Sequence, residues 1–170
     1  NMNILKLDES ITKEISKPEE RGLTDKEKEK LKDKTGWSNE IIGEINSTKE
    51  AEIYQKANLQ EVEIDGRKCL VKKDVNMEQK DEFGKTNKER MKNGQPALTK
   101  NYETIELHHI GQKSDSFLAE LTKEEHRGVG NDTILHDKQK ESEIDRNAFK
   151  KEREHHWESR ADQEIDGGKN

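Results

Sequence analysis

Thr104-Ile105-Glu106-Leu107-His108-His109-Ile110-Gly111 alternates polar and apolar residues, then runs into a double histidine and a glycine. That alternation is the pattern of a half-buried strand, and Gly111 marks its end. Phe117–Leu121 has the composition of a partner strand. Adjacent strand residues point to opposite faces, so the two imidazoles are set to different tasks. One division makes one a metal ligand and the other a base that activates water, roles that neutral imidazole fills near pH 7. Two exposed histidines without chemistry would leave the same pattern.

Working outward, His126 follows Leu121-Thr122-Lys123-Glu124-Glu125, and His136 follows Ile134-Leu135 after a Gly128-Val129-Gly130 break. All six histidines lie beyond residue 107, and the lone cysteine, Cys69, is far from them. A histidine cluster without thiolates suits zinc or another first-row divalent ion. Three protein ligands leave a coordination position open, as in a catalytic site. The spacing fits no unique template. Gly128-Val129-Gly130-Asn131 lacks the Lys-Ser/Thr of a phosphate loop and reads as a plain turn.

Composition narrows the field. Charged residues make up 41% of the 170 and apolar residues 26%, with a net charge of −6. Leu, Ile, Val and Phe together reach only about 18%, below the usual level for a folded domain. The charge is nearly balanced, however, so a folded but core-poor chain is expected. No apolar run is long enough to span a membrane, and the N-terminal residues do not form a secretory signal. A single cysteine excludes an internal disulfide framework, and Cys69 between apolar neighbours reads as a packed thiol. A pI near 5.6 argues against a polybasic coat, so any nucleic-acid contact must be a local patch.

Residues 1–58 read as a helical N-terminal region, with 1–22 a linker or frayed tail around Pro18 and Gly22. Thr24-Asp25-Lys26-Glu27 is a capping box whose helix should stop at Gly36, and Ser38 caps the next. Ser47-Thr48-Lys49-Glu50 predicts a second capping box, opening a helix through Ala57. Asp65-Gly66 between two extended runs predicts a hairpin pairing Glu63 with Lys68 and Val62 with Cys69. Residues 76–103 read as loop with a short helix at Asn87–Met91. A long helix is predicted from about Lys138 to Ala161, with an apolar stripe of Ile144, Ala148, Phe149, Trp157 and Ala161. On it His155 and His156 read as surface or core-edge residues. Lys138, Lys140, Arg146, Lys150 and Arg153 read as a solvated face.

Glu106-Leu107-His108-His109-Ile110-Gly111, followed by Leu118-Ala119-Glu120-Leu121-Thr122, Glu125-His126 and Leu135-His136, resembles the LHH group of bacterial nuclease toxins. That group lies in the HNH/endonuclease VII, or ββα-metal, superfamily, and the DNase colicins share the Glu-Leu-His-His block. Thr86–Met91 with Gly94 and Pro96, and Arg153 with Trp157, extend the resemblance over roughly 60–161. It implies His108 and His126 as metal ligands, His109 as general base, and Glu106 as an acid that orients a side chain of the site. His136 is the candidate third ligand, with Asn131 and Asp132 as alternatives, because the colicin ligands stand one helical turn apart and these two histidines ten residues. Arg90 is nominated as the catalytic arginine.

The resemblance implies an α+β chain, with 59–170 a nuclease domain built on a hairpin and a ββα-metal core. The expected activity is a divalent-metal-dependent DNase, with zinc bound and Mg, Mn or Ni as alternatives for activity. Its alternatives are an RNase on the same fold and a non-catalytic, zinc-stabilised binding module. The family further implies an antibacterial toxin, the C-terminal part of a larger secreted polypeptide. It would act in the target-cell cytoplasm, with an immunity protein as partner.

Overall fold

The computed structural model describes residues 22–136 and 145–163. The expected linker at 1–22 and the expected start of the last helix at Lys138 fall almost wholly outside them. The order is α1 (Asp25–Thr35), α2 (Asn39–Gly43), α3 (Thr48–Lys56), β1 (Leu59–Ile64), β2 (Arg67–Lys72), α4 (Asn87–Lys92), β3 (Ile105–His109), a 3-10 turn (Ile110–Gln112), β4 (Leu118–Thr122), α5 (Lys123–Arg127), α6 (Asn131–Leu135) and α7 (Arg146–Asp162). The chain is mixed α+β, and β3, β4 and α5 make a ββα-like unit.

Local chemistry sets most boundaries. Thr24 and Glu27 satisfy each other's backbone amides at the start of α1, and Gly36 ends it in the left-handed region at φ 75°. The same reciprocal box opens α4 at Thr86/Glu89 and α5 at Thr122/Glu125. At α3 only half of the expected box forms. Ser47 caps Glu50 N, but the Glu50 carboxylate turns inward to accept from Asn46 N, Gly111 N and Tyr54 Oη. Gly111 N from the turn after β3, with the nearby Asn46 N and Tyr54 Oη, outcompetes the Ser47 amide because Glu50 is buried.

The four strands form one sheet in the order β1-β2-β4-β3. The hairpin has the expected register, with Asp65 and Gly66 both at positive φ. It also joins the core sheet, because β2 runs parallel to β4 at Leu70↔Ala119. β3 pairs antiparallel with β4 at one edge of the sheet, where Ile105 N on its outer side donates to Ala97 O, and it places His108 opposite Ala119 and His109 opposite Leu118.

A cluster of buried apolar residues covers each sheet face. Trp37, Ile41, Ile42, Ile45 and Tyr54 from the N-terminal helices pack with Leu59, Leu70, Ala119, Leu121 and Leu135. Cys69, Val71, Ile105, Leu107 and Leu118 pack with Met91 of α4 and Trp157 and Ala161 of α7. The first core is continuous across residue 58. Of the expected stripe, Trp157 and Ala161 are buried and Phe149 is partly so, Ala148 is exposed, and Ile144 lies outside the described residues. His156 is a second departure, since it is buried in the core against Glu120.

Candidate metal centre and nuclease site

β3 sends alternate side chains to opposite faces. Ile105 and Leu107 face α7 and anchor the strand, which turns Glu106 and His108 toward α5 and α6. The capping box at Thr122 starts α5 so that His126 comes back over His108. The left-handed Gly130 starts α6, whose end delivers His136. His108 Nδ1 lies 3.3 Å from His126 Nε2, and His136 Nε2 lies 3.2 Å from that same nitrogen.

The outer nitrogens decide the protonation. His126 Nδ1 is 2.9 Å from Glu106 Oε1, and His136 Nδ1 is 3.0 Å from Asp132 Oδ1. An ionised carboxylate only accepts, so both Nδ1 atoms donate to it and the two Nε2 atoms are left facing each other. Burial and the neighbouring His126, His136 and His109 push the His108 pKa well below its usual range. Burial also lowers that of His126, against the pull of Glu106. Three imidazole nitrogens brought this close form a ready cage for a cation. Nitrogens around a tetrahedral zinc stand roughly 3.3 Å apart, which matches this spacing. The His108/His126/His136 triad therefore fits, and could hold, a metal ion. Carboxylates on the outer nitrogens are the usual support for metal-bound histidines.

Beside the triad, a cleft of about 620 Å³ passes round the outer edge of β3. It runs from His126, Arg127 and His136 on one face to Phe149, Lys150 and Arg153 on the other. Arg127 pairs with Glu106, holding its carboxyl below the usual range although burial alone would raise it.

Residues 86–163 match the family model of LHH, described as a nuclease of the HNH/ENDO VII superfamily with conserved LHH. This segment is an LHH nuclease. Its activity is thus that of a phosphodiester hydrolase, and nucleic acid is its substrate. No solved structure matches the chain.

Of the other residues singled out in the nuclease's sequence, Asp132 supports the triad from behind and the rest are not among its converging nitrogens. His109 projects to the opposite face, where its Nε2 is 2.7 Å from Glu152 Oε1 and its ring rests on Phe149 at 4.7 Å. His109 Nδ1 is buried with no hydrogen-bond partner among the described residues. Arg90 is not brought to the triad: its Nε donates to Pro96 O and its Nη1 pairs with Asp81 at 2.8 Å. Asn131 donates to Glu125 O, and Asp132 stands behind His136. Cys69 is a buried thiol whose pKa is pushed up by burial. His155 is exposed and pairs with Asp65.

Sequence reasoning missed the Glu152–His109 pair, formed across 43 residues. It also missed Asp132 as the partner of His136, although their i,i+4 spacing on a short helix was visible.

Proposed function

We propose that the chain is a divalent-metal-dependent DNase that acts as an antibacterial toxin. The observation that carries the enzymatic part is the convergence of three imidazoles, two of which (His126 and His136) line a cleft with Arg127, Lys150 and Arg153, on an LHH nuclease segment. In this reading His108, His126 and His136 hold the cation, and Glu106 orients His126. A bound divalent ion, zinc at rest and Mg, Mn or Ni as candidates for turnover, would offset the charge that builds on the phosphate.

The remaining chemistry belongs to side chains. His109 Nδ1, unpartnered among the described residues, takes the proton of the attacking water as general base. A phosphodiester lying across the β3 edge meets the triad on one face and the Phe149 wall over His109 on the other. Lys150 and Arg153 line that route and are the phosphate contacts the geometry favours; Arg127 also lines it but is paired with Glu106, and Arg90 is engaged with Asp81 and does not line it. The toxin role, delivery within a larger secreted polypeptide to a target-cell cytoplasm, and a protecting immunity protein are supported by the resemblance to the LHH toxins.

Nicking of supercoiled plasmid, with RNA in parallel and with and without chelator, tests the enzyme. We expect metal-dependent DNA nicking that His109→Ala lowers ~10²–10⁴-fold with the fold intact. Cleavage of RNA alone would make it an RNase, and full activity in His109→Ala would remove the proposed base. Growth arrest on expression in a bacterial cytoplasm, relieved by His109→Ala, tests the toxin role.

A further inference from the structure

His109 is held by an arrangement that the metal triad does not need. Its Nε2 meets Glu152 Oε1 at 2.7 Å, while the other Glu152 oxygen, Oε2, accepts from Arg67 Nη1 at 2.5 Å. Arg67 is itself fixed, because Nη2 donates to the Ser116 carbonyl at the entry to β4. Phe149, one helical turn before Arg153, closes over the imidazole ring. Burial would raise the Glu152 carboxyl, but the bonds from His109 and Arg67 bring it below the usual range, so it is ionised at neutral pH. Three elements of different sequence origin thus converge on one imidazole: the hairpin, the β3 edge and α7.

We infer that Glu152, oriented by Arg67, is a positioning residue that fixes the tautomer of His109. The carboxylate can only accept, so the ring proton stays on Nε2 and the lone pair on Nδ1. The inference rests on His109 as general base for its catalytic consequence, but the tautomer itself is independent of that reading.

Arg67 gives the inference a discriminating test. In Glu152→Gln the amide has one oxygen and one NH2. A guanidinium only donates, so Arg67 claims the oxygen and turns the NH2 toward His109 Nε2. Nε2 must then accept, which moves the ring proton to Nδ1 and removes the lone pair that the base needs. A carboxylate that merely tied α7 to the hairpin would tolerate this near-isosteric change.

The experiment uses the full chain and follows the His109 nitrogens by 15N NMR, with plasmid-nicking kinetics, zinc stoichiometry and Tm alongside. Wild type should show a proton on Nε2 and a bare Nδ1; Glu152→Gln should show the reverse. The kcat of Glu152→Gln should fall ~10²–10³-fold, within the range for losing a general base, while KM and zinc stoichiometry stay unchanged. Adding Arg67→Met frees the amide to turn its oxygen to His109, so the double variant should regain the native tautomer and part of the lost kcat. A wild-type proton on Nδ1, or Glu152→Gln with native tautomer and kcat, would overturn the inference. If His109→Ala nicks as fast as wild type, the base reading falls, and the NMR result still decides whether Glu152 sets the tautomer.

Discussion

Glu106 stands to His126 as Asp132 stands to His136, each carboxylate accepting a hydrogen bond from the outer Nδ1 so that Nε2 faces inward. His108 has no such partner; its Nε2 is buried without a hydrogen bond. This asymmetry predicts graded effects. Glu106→Gln should weaken zinc binding ~10–100-fold without abolishing it. His108→Ala and His126→Ala should bind added zinc far more weakly than wild type and lose the rise in Tm expected when zinc is added to the folded chain. Calorimetric titration with scanning calorimetry checks all three, and unchanged stoichiometry and affinity in the two alanine variants would mean that the ligands are others.

Among the elements, α7 carries the heaviest charge chemistry. Glu120 on β4 is fully buried; its Oε1 accepts from Lys72 N at 2.9 Å, and its Oε2 meets His156 Nε2 and Arg160 Nε of α7 at 2.8 Å each. Burial would raise the Glu120 carboxyl, but Arg160 and His156 bring it below its ordinary value of 4.5. A carboxyl depressed in the folded state stabilises fully above its unfolded pKa, and that contribution is lost as pH falls through the folded one. The fold should therefore weaken below about pH 4.5, and Glu120→Ala should show a shallower acid limb in chemical denaturation. At pH 7 that variant strands the buried Arg160 and should cost ~3–5 kcal/mol.

The turn after β3 is a second element under constraint. Gly111 has φ 72°, and a Cβ there would stand 2.2 Å from Glu44 O. Gly111→Ala should cost more than the ~1–2 kcal/mol of left-handed backbone alone, because a backbone carbonyl of the α2 end must also move. Urea denaturation measures it, and a loss under 1 kcal/mol would contradict the packing described.

At the scale of the whole molecule, the N-terminal helices are part of the nuclease's core. Trp37, Ile41, Ile42 and Tyr54 are at most 1% exposed and cover Ala119, Leu121 and Leu135, which lie inside the family-matched segment. A fragment from residue 59 onward would bare that face. It should lack a cooperative thermal transition and bind a hydrophobic dye; a sharp transition would show that the segment folds alone. Net charge sets the other property. A −6 chain can engage a polyanion only through a confined patch, here Arg127, Lys150 and Arg153 beside the triad. With two to four phosphates neutralised, log K for plasmid DNA should fall by ~2–4 per log unit of salt. A slope near −8 in filter binding would reveal a far larger surface.

The local signals were legible because their physics is local. Thr24/Glu27, Asp65-Gly66 and the alternation of Ile105–His109 each satisfy backbone amides, turn angles or side-chain periodicity within a few residues, and each stands where the sequence places it. The double histidine, with His126 and His136 downstream, likewise named the site, since few side chains offer neutral nitrogen donors near pH 7. Only the tertiary structure decided which nitrogens face one another. Glu50 left its own cap for Gly111, Glu152 crossed 43 residues to His109, and Arg90 went to Asp81. Buried carboxylates and guanidiniums take whichever partners the packed core brings near, because leaving them unpaired there costs more than any local bond returns.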